Sequence, residues 1–158
     1  MGLEQKHLSR GDILRDGILP HGKRFMFLDS VEILEPGRKV RGKLADRRLP
    51  EFSYLVDHVP EYPIFPGALS LEALAELSGI AVISGLPTGS KKLGVLRKAV
   101  IELKQPIEPG DNIDLEAEVL FFKMSTGRAI VRALNSGEVV AEGEITFMLV
   151  NKPKNPTK

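Results

Sequence analysis

Residues 66–84 read PGALSLEALAELSGIAVIS, and this run decides the fold. From Ala68 to about Ser84 its apolar side chains cover nearly every helical face, so the spacing predicts a helix enclosed by protein, not one lying on a surface. Roughly sixteen residues at about 1.5 Å each reach about 24 Å, enough to cross a small domain. Gly85-Leu-Pro-Thr-Gly89 ends the run. Before it, the stretch 47–66 holds Pro50, Pro60, Pro63 and Pro66. Each proline fixes φ and lacks an N–H donor, which predicts a shaped loop without regular structure.

Outward from this centre the pattern turns to strands. Phe25–Glu35 reads as one strand, and Pro36-Gly37 turns it into a second at Lys39–Asp46, the two pairing as a hairpin. After the helix, β-rich segments run over Leu93–Val95, Lys98–Leu103, Ile113–Met124, Gly127–Asn135 and Val139–Val150, divided by Pro-Gly-Asp, Ser-Thr-Gly and Asn-Ser-Gly turns. Residues 1–18 read as an arm or short helix, ended by Leu19-Pro-His-Gly22. One central helix with five or six antiparallel strands is an α+β arrangement. It fills a single domain over residues 1–150, with a frayed tail at 151–158.

Composition narrows the chemistry. The 158 residues are 42% hydrophobic, enough for a core, and 22 basic against 21 acidic side chains leave a net charge of +1. So small a net charge gives no strong field to recruit phosphates, which argues against general nucleic-acid binding. The chain has no cysteine, so disulfides, thiolate nucleophiles and zinc-cysteine clusters are excluded. Met1–Arg10 lacks the apolar core of a signal peptide, and Glu72 and Glu76 interrupt the longest oily stretch. These features predict a soluble, cytoplasmic protein with no membrane insertion.

The residues left for chemistry are a histidine on the loop, His58, and a carboxylate inside the oily run, Glu72. A carboxyl buried there must be protonated, paired or functional. The first N–H groups of the helix, near Gly67, lack intrahelical partners and form a donor site for developing negative charge. Base, acid and donor together suit enolate chemistry beside a carbonyl. Two plainer roles stand beside this one: His58 bracing the loop, and Glu72 satisfying backbone N–H groups. Phe52, Tyr54 and Phe65 lie close enough in sequence to the candidate pair to line its substrate pocket, while His21 reads as holding the arm against the core and His7 as solvated. The pairs Lys91-Lys92 and Arg97-Lys98 offer positive charge to an acidic partner or are simply solvated.

The strings Asp57-His-Val-Pro60, Pro63-Ile-Phe-Pro-Gly67 and Leu71-Glu-Ala-Leu-Ala-Glu76, with Leu19-Pro-His21, Phe25–Asp29, Gln105–Asp111 and Gly137–Glu142, resemble the FabZ and FabA family of 3-hydroxyacyl-(acyl-carrier-protein) dehydratases. The resemblance runs from about residue 13 to residue 150. It implies a hot-dog fold, an antiparallel sheet wrapped around one long helix. It also implies at least a dimer, up to a trimer of dimers, in which His58 of one subunit faces Glu72 of the other. By the same likeness His58 removes the C2 proton of a (3R)-3-hydroxyacyl thioester, the Gly67 N–H holds the thioester oxygen, and Glu72 protonates the departing hydroxyl. The product is a trans-2-enoyl chain on acyl-carrier protein, made without metal or redox cofactor. Glutamate at position 72 is the FabZ type, whereas FabA enzymes carry aspartate.

The chain departs from the pattern at Asp57, Val59 and Glu61, where the family has Gly, Phe and Gly. Glu76 stands for Gln, and Gly22-Lys-Arg for Arg-Tyr-Pro. Asp57 would raise the His58 pKa if it reached the ring, and Glu76 would hold Glu72 protonated by like-charge repulsion. The same fold also serves acyl thioesterases, and a non-catalytic acyl-carrier-binding homologue is the third reading.

Overall fold

The computed structural model describes residues 7–87 and 89–152. Seven antiparallel strands form one sheet: β1 (His7–Ser9), β2 (Leu28–Glu35), β3 (Lys39–Leu44), β4 (Lys92–Leu103), β5 (Ile113–Lys123), β6 (Thr126–Asn135) and β7 (Glu138–Asn151), in the order β1-β2-β3-β5-β6-β7-β4. A short helix α1 (Arg10–Arg15) follows β1, and the long helix α2 (Gly67–Ser84) lies against β5, β3, β2, β6 and β4. A sheet curled around one central helix is the expected hot-dog arrangement.

Alternation makes the wrapping possible. Ile113, Leu115, Ala117 and Val119 of β5 are buried every second residue, as are Ala129, Val131 and Ala133 of β6, so one face of the sheet is apolar. The opposite face carries cross-strand ion pairs such as Lys39 with Glu118 and Lys43 with Asp114. Helix α2 buries Ala73, Leu74, Leu77, Ile80, Ala81 and Val82 against the apolar face. Its mean hydropathy of 1.4 over eighteen residues would suit a membrane span, but the sheet encloses it as the core helix. The C-terminal end of α2 is fixed by close approach: a Cβ on Gly85 would lie 2.5 Å from the Gly37 Cα, and Gly37 holds φ +78°, so both positions require glycine.

The structure differs from the sequence reading in five places. Residues Pro50–Asp57 form a 3₁₀ helix, not an irregular loop. Pro50 opens that helix, where the missing N–H costs nothing, and Phe52 and Leu55 fall three apart on its buried side. Phe25–Phe27 precede the strand, which starts at Leu28 behind a 3₁₀ turn at Lys23–Phe25. The two short segments after α2 are one strand, β4, with a register shift between Leu96 and Lys98. β1 was not foreseen; Ser9 and Asp12 form a capping box that starts α1 directly after it. Asn151 still pairs with Lys92 and belongs to β7 rather than to the tail, whose residues 153–158 lie outside the described residues.

Candidate active site

His58 caps the Pro50–Asp57 helix and is exposed. Its Nδ1 lies 3.0 Å from the Ile64 carbonyl oxygen. A carbonyl can only accept, so Nδ1 carries a proton, and in the neutral ring Nε2 keeps its lone pair. The Pro-rich turn thus selects the tautomer a base needs. Asp57 makes no ion pair with the ring among the described residues.

Gly67 opens α2 behind Pro66, whose carbonyl accepts from Leu69 and Ser70. The N–H groups of Gly67 and Ala68 have no hydrogen-bond partner among the described residues and add to the positive end of the helix. Gly67, Phe65, Ser70, Leu103 and Ile107 line an open cleft of about 180 Å³. A Cβ at Gly67 would collide with the Leu103 side chain, so the backbone approaches β4 closely only because the side chain is absent.

A second cleft, of about 250 Å³, is lined by Phe52, Phe65, Leu55, Val56, Pro63 and Arg47, among others. Phe52 and Phe65 both lean on Phe27, with ring centroids 5.5 Å and 5.8 Å away. Tyr54 lines neither cleft; its hydroxyl donates to the Arg24 carbonyl at 2.9 Å. Arg47, unremarked in the sequence, is buried and donates to the carbonyls of Glu108 and Asp111, both at 2.7 Å. It locks the Glu108–Asp111 turn beside the cleft.

Glu72 is half-buried, contrary to the sequence reading, and its Oε1 lies 3.1 Å from His21 Nε2. The buried carboxyl is Glu76, one turn on, only 2% exposed. Position i+4 on a helix shares a face, and an apolar run does not show which end of that face is open. Glu76 Oε2 accepts the Phe27 N–H at 2.9 Å, whereas Oε1 has no partner. Burial pushes its pKa up to about 9; the Glu72 charge adds to the rise, and the Phe27 N–H and Arg10 oppose it. His21, assigned from sequence to the arm, is instead the partner of Glu72, and its Nδ1 is buried and unpaired. His21, Glu72 and Glu76 each place one ligand-type atom within 4.8 Å of the others. No ion pair joins His58 to Glu72 among the described residues, and neither residue lines either of these two clefts.

A protein-family model described as a FabA-like domain matches residues 19–147. The 3-hydroxyacyl-(acyl-carrier-protein) dehydratase FabZ of Ruminiclostridium cellulolyticum is 43% identical over 134 residues, covering 84% of this chain and 92% of the relative. That of Listeria monocytogenes is 38% identical over 140 residues, with coverage of 87% and 94%. Among solved structures, the dehydratase heterocomplex ApeI:P of Xenorhabdus doucetiae superposes with a TM-score of 0.69 at 17% identity, covering 87% of this chain and 91% of that one. A hypothetical thioesterase from Streptococcus pneumoniae gives 0.55 at 17%, covering 78% and 88%, so likeness at this level speaks for the fold alone. The sequence relatives carry the assignment further: this chain belongs to the FabA-like family, among its FabZ proteins.

Proposed function

We propose that the protein dehydrates (3R)-3-hydroxyacyl-(acyl-carrier-protein) to the trans-2-enoyl form in fatty acid biosynthesis, as a cytoplasmic homodimer. The observation that carries the reading is the 3.0 Å contact of His58 Nδ1 with the Ile64 carbonyl oxygen, which in the neutral ring leaves Nε2 as the base. It takes the C2 proton of the acyl chain. The freed electron pair moves toward the thioester carbonyl, whose oxygen is held by the unpaired Gly67 N–H at the helix terminus. As the pair returns to form the C2–C3 double bond, the C3–O bond breaks and Glu72 gives its proton to the departing hydroxyl, which leaves as water. Phe52 and Phe65 offer apolar wall to the acyl chain. Tyr54, turned toward Arg24, is left out of that role.

Within one chain His58 and Glu72 form no hydrogen bond or ion pair with each other, which fits a site shared between two subunits. The open strand β4 supports the dimer. It is an edge of the sheet, twelve residues long, and exposes Val95, Leu96, Val100 and Leu103. Such an edge invites a second strand. Exposed Lys91, Arg97 and Lys98 offer positive charge to an acidic carrier.

The test follows water elimination from 3-hydroxyacyl-carrier substrates, with release of free thiol measured in parallel. Loss of one acid/base group is expected to cost about 10² to 10⁴-fold in rate, so His58→Ala and Glu72→Gln should both be crippled while remaining folded. Thiol release without enoyl product would make the protein a thioesterase. Unchanged activity in both variants would remove the assigned roles.

A further inference from the structure

The mechanism above leaves one buried titratable group unused. Glu76 lies on the same face of α2 as Glu72, one turn further into the core, with Oε2 anchored on the Phe27 N–H at 2.9 Å and Oε1 without a partner. An ionised carboxylate there would have an unsolvated, unpaired oxygen, the costliest arrangement a buried polar group can adopt. A carboxylic acid in the same place keeps the Phe27 bond and turns Oε1 into a hydroxyl donor. The only other unpaired buried atoms among the described residues are His21 Nδ1 and Arg47 Nε, and His21 belongs to the same trio.

We propose that Glu76 is a neutral, proton-bearing positioning residue whose Oε1–H, together with His21 Nε2–H, stabilises the carboxylate that forms on Glu72 when it gives up its proton to the leaving hydroxyl. This rests on the dehydratase reading. Two donors then converge on the carboxylate where negative charge develops: His21 Nε2 lies 3.1 Å from Glu72 Oε1, and one atom each of His21, Glu72 and Glu76 lie within 4.8 Å of one another. The other charged or titratable groups facing Glu76 are Arg10 from α1, His21 from the turn before Lys23, and Tyr54 from the Pro50–Asp57 helix. Should Glu76 ionise, the donor disappears and its charge opposes the one Glu72 must acquire. Burial and Glu72 both favour the neutral form, and the rise to about 9 leaves it neutral at physiological pH.

The experiment compares wild type, Glu76→Leu and Glu76→Gln, recording kcat and KM across the neutral-to-alkaline range and the infrared carboxyl band of protonated acids. A hydrogen bond to a charged group is worth enough that Glu76→Leu is expected to lose roughly tenfold or more in kcat, with KM little changed. The amide of Glu76→Gln donates at any pH. It should therefore recover most of that loss and remove the part of the alkaline fall in kcat that ionisation of Glu76 causes. Glu72 also bears a proton before the reaction, so the band is read as the wild-type-minus-Glu76→Gln difference, which should be present at neutral pH and fade on alkalinisation. Alkaline limbs that superimpose in wild type and Glu76→Gln, or a missing difference band at neutral pH, overturn the proposal. An inactive wild type would refute the dehydratase assignment instead, and the band alone would then decide the protonation of Glu76.

Discussion

Glu76 sets a pH dependence of stability whose sign follows from its burial. Its folded pKa, raised to about 9, exceeds that of an unfolded glutamate, so the folded state holds the proton more tightly. Stability is therefore greatest below the unfolded pKa and falls as pH rises toward the folded one, by up to about 1.4 kcal/mol per pH unit between the two. Glu76→Gln removes this slope, and urea unfolding should find the variant more stable than wild type at mildly alkaline pH, with the gap closing on acidification. Equal slopes in both proteins would place the proton elsewhere. At this scale the sequence announced that α2 carried carboxyls in an apolar run but not which one was buried. Glu72 and Glu76 share a helical face, and only the packing of Phe27 against the second half of α2 separates them. The link from His21 to Glu72 was likewise invisible, because it spans fifty-odd residues of intervening chain.

The N-terminus of α2 allows its donor to be deleted while the helix is kept. Proline is well tolerated in the first helical position, and Pro66, at φ −60° and ψ 129°, already has the extended conformation that a following proline demands. Gly67→Pro should therefore fold, yet lose about 10² to 10³-fold in kcat through the missing N–H. Gly67→Ala, which meets the Leu103 side chain but retains the donor, is the steric control, and circular dichroism verifies both folds. Were the two variants equally active, the oxygen-holding role would pass to another group. The core helix and the paired strands of the second half were legible because burial imposes periods of 3.6 and 2 on their residues. The 3₁₀ helix was not: four prolines within twenty residues hid that Pro50 begins a segment while the other three follow it. The continuity of β4 was masked by Arg97, the residue at its register shift, which breaks the alternation without breaking the strand.

At the scale of the molecule, a site divided between subunits is open to complementation. Random reassociation of His58→Ala and Glu72→Gln subunits gives hybrid dimers in which one of two sites is intact, so a mixture of two nearly inactive proteins should regain about a quarter of wild-type activity. A mixture that stays inactive would confine the pair to one chain. Charging the open edge, as in Val100→Lys on a residue 63% exposed, should lower the mass seen by light scattering toward a monomer and remove activity with it. The order of the sheet also bears on synthesis. β4 is translated before β5, β6 and β7, yet its partner in the sheet is β7, which ends at Asn151. A nascent chain therefore carries its longest apolar edge unpaired until the final strand emerges, with α2 already made and only partly wrapped. Losing β7 to a premature stop would open one side of β6 and strip β4 of its partner in the sheet, and such a fragment is expected to aggregate rather than fold.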